Sequence, residues 1–254
     1  MSVSGARVFA LVPARGGSRG VPRKNLAELD GRTLIAHVAA VVSELGWLDA
    51  ALLSTDDEEI ADEGRRVGLD VPFLRPAELA TDEARIVGTW SHAWRFLEER
   101  DGVTYDASVL LEPSCPLRSA DDVTRTIEAL LGGDHAAAAT ISRTPSRWNA
   151  YKAVRSGADG VLEPVLGDAG LEPIRQRTPE HHHRNGACYA VRRATLLERG
   201  HVFEEDCVGV LVGRELVNID EPADLAYARW LVAEGGGFEP PRAVKPNTDS
   251  SRAP

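Results

Sequence analysis

From residue 7 to about residue 140 the chain alternates short apolar runs with stretches of helical period, a pattern that few folds accept. Arg7–Pro13 (RVFALVP), Ala51–Thr55 (ALLST), Val71–Leu74, Ser108–Glu112 (SVLLE) and Ala136–Ile141 read as buried strands. Thr33–Leu45, Asp57–Val67, Ala84–Arg100 and Ala120–Leu131 carry helical spacing between them. Strand, helix and strand in repetition predict an α/β fold, a doubly wound and mainly parallel sheet with helices on both faces. Ligands of such sheets sit beyond the carboxyl ends of the strands. The loops after Pro13, Thr55, Leu74 and Glu112 are therefore where a site is expected.

The period is lost from Ser142 to Arg184, where Pro145, Pro164, Pro173 and Pro179 fall among several glycines and three consecutive histidines. Long irregular stretches in compact proteins are usually functional or interfacial, so about 142–185 reads as an arm. Alternation resumes with strands at Gly186–Val191, Val208–Val212 and Glu215–Ile219, and a closing helix at Glu221–Glu234. One domain over residues 1–235 is expected. Residues 236–254 hold four of the fifteen prolines and little apolar content, and are expected to be a disordered tail.

Charge narrows the ligands. With 29 Lys and Arg against 39 Asp and Glu, the net charge of −10 repels nucleic acid and anionic lipid. An anionic ligand then needs a local basic site. Cys115, Cys188 and Cys207 are odd in number and widely spaced, against a disulfide framework or a cysteine zinc site. No apolar run approaches a membrane span, and Val8–Pro13 is too short for a signal segment. A cytoplasmic protein with no nucleic-acid or membrane partner is expected.

The local basic site follows the first strand. Ala14-Arg15-Gly16-Gly17-Ser18-Arg19-Gly20-Val21-Pro22-Arg23-Lys24-Asn25 carries four cations and no acid. Gly16, Gly17 and Gly20 let backbone N–H groups approach an anion, while Arg15 and Lys24 can neutralise phosphate oxygens. The spacing is neither the Walker loop nor the dinucleotide G-x-G-x-x-G. An ATPase of the former class and a dehydrogenase both lose support, and a solvated turn is the bland alternative.

The run A-R-G-G-S-R-G-V-P-R-K-N-L resembles the nucleotide-binding signature of the CMP-N-acylneuraminate (CMP-sialic acid) synthetases, the acylneuraminate cytidylyltransferases. Further segments agree in order: Ser54–Ala61 (STDDEEIA), Leu74–Asp82 (LRPAELATD), Leu111–Arg118 (LEPSCPLR), Asn185–Tyr189 (NGACY) and Asn218–Leu225 (NIDEPADL). The likeness covers roughly residues 7–232. It implies a Rossmann-like fold of the nucleotidyltransferase type. It also implies transfer of CMP from CTP to an acidic acceptor, a 2-keto-3-deoxy sugar acid of the nonulosonic, sialic-acid kind, with release of pyrophosphate.

Residue by residue, the resemblance implies that Arg15 and Lys24 hold the triphosphate, with Ala14, Gly16, Gly17 and Asn25 at the nucleotide. Arg75 falls at the catalytic end of the cleft; a structural ion pair with Glu78 or Asp82 is its alternative. Arg85-Ile86 stand where the family often has a small hydroxyl residue. Glu112 replaces the glutamine of L-L-Q-P-T-S-P-L-R that reaches the acceptor, with Ser114 beside it. An ionised glutamate only accepts hydrogen bonds, so an acceptor with a hydroxyl or ammonium at that point is expected. Asn218-Ile219-Asp220 matches the D-I-D that binds catalytic Mg²⁺ in the family. Asp220 is the expected metal ligand and Asn218 the secondary one; capping of the helix at Glu221 is the alternative for Asp220. The arm implies a homodimer, with Arg175, Lys152 and Asn185 bordering the acceptor.

His181-His182-His183-Arg184 reads better as a basic contact patch than as a metal site. Trp90 and Trp94, at i and i+4, read as core, as does His37; Cys115 lacks a paired base. Rival functions remain: the same chemistry on an octulosonate or a small phosphonate, or a nucleotide-binding protein catalytically weakened by Asn218. A glycosyltransferase would need a D-x-D, and residues 105–125 offer only Asp121-Asp122.

Overall fold

The computed structural model describes Val3 and residues 5–18, 20–170, 179–203 and 206–234. The tail at 236–254 and Arg175 lie outside the described residues. Six strands form the central sheet: β1 (Val8–Pro13), β2 (Ala50–Ser54), β3 (Ala107–Leu110), β4 (Ala137–Arg143), β5 (His182–Arg192) and β6 (Cys207–Leu211). Their spatial order is β6-β4-β5-β3-β1-β2. β1 runs parallel to β2 and β3, and β6 parallel to β4, while β5 is antiparallel to both of its neighbours. The mainly parallel, doubly wound α/β sheet anticipated from the alternation is therefore present.

The two faces of β1 show why. Val8, Ala10 and Val12 are buried against α1 (Leu34–Glu44), α2 (Glu58–Arg66) and α4 (Ala120–Leu131), through Ile35, Val38, Ile60, Val123 and Ile127. Phe9 and Leu11 turn the other way onto α3 (Ile86–Asp101), where Trp90, Trp94 and Leu97 are buried. A central parallel strand covered on both faces must be apolar at every position. Phe9 meets Trp94 edge to face, with ring centroids 5.0 Å apart. Trp90 donates Nε1–H to Ser108 Oγ at 2.8 Å, so the indole is buried with its polar atom satisfied. Both tryptophans are core, as their spacing implied.

Helix starts follow the local chemistry. Thr33 Oγ1 accepts from the Ala36 N–H at 3.1 Å, and Asp57 Oδ1 from the Ile60 N–H at 3.0 Å. Ser119 and Asp122 form a reciprocal capping box on α4. Asp122 is buried and also receives both terminal nitrogens of Arg214, one of them at 2.9 Å. At α5 (Pro222–Ala233), Asp224 accepts the N–H groups of Asp220 and Glu221 at 2.9 and 2.8 Å. The capping alternative for the Asp220 side chain is thereby replaced: the cap carboxylate is Asp224.

Two expected strands are absent. Val71–Leu74 forms no ladder; the segment touches β2 only through single bridges, Leu52 to Asp70 and Thr55 to Leu74. Glu215–Ile219 pairs with no strand, although Val217 and Ile219 are buried against Val21, Leu34 and Leu225. Residues 144–170 leave the sheet after β4, make short 3-10 turns, and form a small hairpin of Val154–Ser156 with Leu162–Pro164. This excursion exposes Trp148, Val154, Val161 and Leu162.

Candidate active site

Because β1, β2 and β3 are parallel, their carboxyl ends reach the same edge of the sheet. The antiparallel β5 brings the turn at Asn185–Gly186 toward that edge from the opposite direction. A cavity of about 480 Å³ opens there. Arg15, Lys24 and Asn25 from the first loop line it, with Arg75, Glu112, Ser114 and Asp220 from three later segments. Seven residues singled out in the sequence thus line one cavity, although they span more than 200 positions.

The basic loop is held by carboxylates. Arg15 Nη1 donates to Asp82 Oδ1 at 2.8 Å, and Lys24 Nζ to Asp220 Oδ1 at 2.9 Å. The Gly16 N–H donates to Asp56 Oδ1 at 3.0 Å. Arg23 bonds Asp57 at 2.6 Å and also pairs with Glu59. Every one of these groups is a donor of the kind a phosphate takes. Gly17 stays open, with nothing within 4 Å of the position of a Cβ. Ala14 is buried and hydrogen-bonds through its N–H to the Ser54 carbonyl at 3.0 Å; Asn25, also buried, donates Nδ2–H to the Arg15 carbonyl at 3.0 Å. Asn25 therefore fixes the curvature of the loop from inside.

Close approach explains two of the glycines. A Cβ on Gly16 would lie 2.8 Å from Asp57 Oδ2, and one on Gly20 only 2.0 Å from the main-chain carbonyl oxygen of Asp220. The loop is seated directly on the segment that carries Asp220.

Arg75 is buried, and its Nε–H donates to Ser54 Oγ at 3.0 Å while Nη2 bonds the Ser54 carbonyl. Burial lowers its pKa to about 10, with Asp56 opposing and Arg15 assisting. It remains a cation at neutral pH and keeps charge pointed at the cavity. The Glu78 or Asp82 ion pair considered from sequence does not form among the described residues; Asp82 pairs with Arg15 instead. Thr89, one turn along α3 from Ile86, also lines the cavity and puts a hydroxyl near where Arg85-Ile86 lack one.

Burial raises the pKa of Glu112; the Arg118 and Lys24 charges oppose that shift and Asp220 adds to it. The Ser114 carbonyl accepts the Ile219 N–H at 2.7 Å, which ties the loop after β3 to the strand-like segment at 217–220. Asn218 Nδ2–H donates to Asp220 Oδ2 at 3.0 Å, so the two side chains meet without the strand geometry expected for them. Asn185 is buried among Thr140, Ala187 and Ser142, with contacts of 2.6, 3.1 and 2.9 Å, and is not among the residues lining the cavity. Lys152 lies in the excursion with Nζ 3.3 Å from Ser146 Oγ.

Among the described residues no cluster of three or more His, Cys, Asp or Glu could hold a metal ion. The histidine run is engaged locally: His183 with Thr144 at 3.2 Å and His181 with the Pro179 carbonyl at 2.8 Å. Asp220 is exposed on the cavity wall with Asn218 beside it. One carboxylate and one amide oxygen, completed by substrate phosphates and water, is a donor set that suits Mg²⁺. Asp56 and Arg118 were not singled out in the sequence, and Asp82 entered it only as a partner for Arg75, because local pattern does not show which group each one meets.

A phosphate-ready loop at the carboxyl edge of a doubly wound sheet, facing a second wall that carries Glu112 and Asp220, defines a nucleotidyltransferase. The family model described as "Cytidylyltransferase" matches residues 9–94. The chain is 29% identical to the CMP-N,N'-diacetyllegionaminic acid synthase of Legionella pneumophila, over 89% of this chain and 96% of that protein. It is 25% identical to the N-acylneuraminate cytidylyltransferase of Escherichia coli, over 87% of this chain and 51% of that protein. A solved CMP:2-keto-3-deoxy-manno-octonic acid synthetase complexed with CTP shares the fold, with a TM-score of 0.65 at 18% identity and coverage of 91% and 100% of the two chains. The chain is thus similar to cytidylyltransferases of the CMP-sialic-acid synthetase type.

Proposed function

We propose that the enzyme transfers CMP from CTP to a 2-keto-3-deoxy sugar acid of the nonulosonic kind and releases pyrophosphate. The observation that carries this reading is the convergence of Arg15, Lys24, Arg75, Glu112 and Asp220 on one cavity. The names of the relatives support the acceptor class.

In this reading the triphosphate takes the donors of residues 14–25. Arg15 and Lys24 exchange Asp82 and Asp220 for phosphate oxygens, and the Gly16 and Gly17 main chain lies along the anion. Arg75 offsets charge that builds on the phosphoryl oxygens as the acceptor hydroxyl attacks the α-phosphorus. The acceptor stands on the side of Glu112 and Ser114, with Arg175 as a further acceptor-side residue and Asn185 acting behind the cavity wall through Thr140 and Ser142. Asp220, assisted by Asn218, would hold Mg²⁺, which neutralises phosphate charge when bound. Trp148, Val154, Val161 and Leu162, exposed on the excursion, suit burial against a second copy and support a homodimer. No described helix is long and apolar enough to cross a membrane; a cytoplasmic location is part of the proposal.

Mass detection of CMP conjugates over a panel of acceptors, with CTP and Mg²⁺, tests the reading. Turnover of a nonulosonate supports it. Turnover only of an octulosonate or a small phosphonate replaces the acceptor, and pyrophosphate release with none of them points to a different one. Tight CTP binding without any release supports the weakened nucleotide-binding protein.

A further inference from the structure

Beneath the acceptor side of the cavity lies a buried cation. Arg118 is 5% exposed, and its Nη2 donates to the main-chain carbonyl of Glu112 and, at 3.4 Å, to that of Gly186. Its Nε and Nη1 are buried without a hydrogen-bond partner among the described residues. Asp122, the acid four positions on, is committed to Arg214 and Ser119. The Glu112 carboxyl, which faces the cavity, is perturbed by burial and by nearby charge, with no hydrogen bond contributing.

A buried guanidinium whose Nε and Nη1 find no oxygen or nitrogen partner, with the buried Cys115 thiol beside it, is a costly way to fill space, and an apolar side chain of similar volume would do so more cheaply. What an apolar residue could not do is join two carbonyl groups from separate segments. One belongs to the acceptor loop after β3; the other is at the left-handed turn of β5, where Gly186 has φ +75°. A Cβ on Gly186 would come within 3.4 Å of Asn218 Oδ1, so this turn also packs on the segment leading to Asp220.

We propose that Arg118 is a positioning residue for the acceptor: by clamping the carbonyls of Glu112 and Gly186 it fixes the direction in which Glu112 meets the acceptor. Arg118 touches neither nucleotide nor acceptor. The inference rests on the functional reading above. Its signature is selective, because the loop that holds CTP is anchored on Asp56, Asp82 and Asp220 and not on Arg118.

The test compares Arg118→Lys, Arg118→Met and Glu112→Gln in the full chain. CTP affinity is measured by calorimetry, and kcat and KM for the acceptor by product detection. Arg118→Lys keeps the charge but not the fork and is expected to raise acceptor KM about tenfold. Arg118→Met is expected to raise it further, and both should leave CTP affinity within about twofold. Combined with Glu112→Gln, the Arg118→Lys effect should fall well short of multiplying, as it does for residues acting through one contact. Equal loss of CTP and acceptor affinity, or effects that multiply independently, would overturn the proposal. If Arg118→Met fails to fold, Arg118→Lys still yields the same two measurements. Absence of any conjugate from the unaltered enzyme overturns the acceptor reading and this inference with it, whereas normal turnover with an unselective Arg118→Lys overturns the inference alone.

Discussion

Lys24 and Asp220 are 196 residues apart in sequence and 2.9 Å apart in the cavity wall. In the proposed reaction one is the cation for a triphosphate and the other the acid for a metal, and here the two pair with each other. Removing either disables the same transfer. Lys24→Ala and Asp220→Ala are each expected to lower kcat by about 10²–10³, measured as pyrophosphate release with CTP and acceptor. Unchanged turnover in Asp220→Ala would take that residue out of the mechanism.

Asp82 competes with phosphate for Arg15. The pair is partly exposed, at 36% and 42% for its two side chains, so its strength is modest. Asp82→Asn leaves the guanidinium free of a carboxylate and is expected to lower the KM for CTP about two- to fivefold. Steady-state kinetics at fixed acceptor reads this directly, and a higher KM would show that Asp82 helps to hold the nucleotide.

Gly20 has no room for a side chain, because a Cβ there would lie 2.0 Å from the Asp220 carbonyl oxygen. Gly20→Ala must push the basic loop off that segment and is expected to reduce kcat/KM about 10²-fold, the scale of an ångström of misplacement. Gly46→Ala serves as the control, since a Cβ at Gly46 meets nothing within 4 Å. Equal activity in the two variants would mean that the loop accommodates the methyl by bending elsewhere.

Asp122 links pH to stability. Burial pushes its pKa up, but the hydrogen bonds from Arg214 and Ser119 outweigh that and hold it below the ordinary carboxylate value. A depressed folded-state pKa adds stability above the unfolded value near pH 4, and that stability is lost as pH falls through the folded value. Asp122→Asn is expected to cost about 3 kcal/mol at pH 7. Urea unfolding should show the gap between the two proteins closing below about pH 4; a gap independent of pH would refute the linkage.

The N-terminal half was legible because parallel strands buried on both faces leave plain marks: short apolar runs, each followed by a helical period. The two misread segments carry a subtler lesson. Val217 and Ile219 alternate with exposed residues, but alternation reports burial of one face and not the presence of a neighbouring strand. Val71–Leu74 is apolar because Val71 packs on α2, within 3.1 Å of a Cβ built on Gly64, while Phe73 packs on α3 against His92 and Phe96. In the site, the glycine loop was readable from composition alone. Asp82, Asp56 and Arg118 were not, because their significance lies in which distant group each one finds, and local pattern does not encode that.

The placement of β5 also has a consequence for how the molecule is made. β5 lies between β3 and β4 although it is synthesised after both. A nascent chain that has just completed β4 holds that strand with neither of its neighbours, since β5 and β6 are still to come. The ribosome therefore delivers the sheet with its middle missing, and closure waits for a pairing across the whole length of the arm. Such late, non-local pairing slows folding and leaves strand edges open in the meantime. Truncation ahead of residue 182 is thus expected to yield aggregating chains rather than a smaller working enzyme.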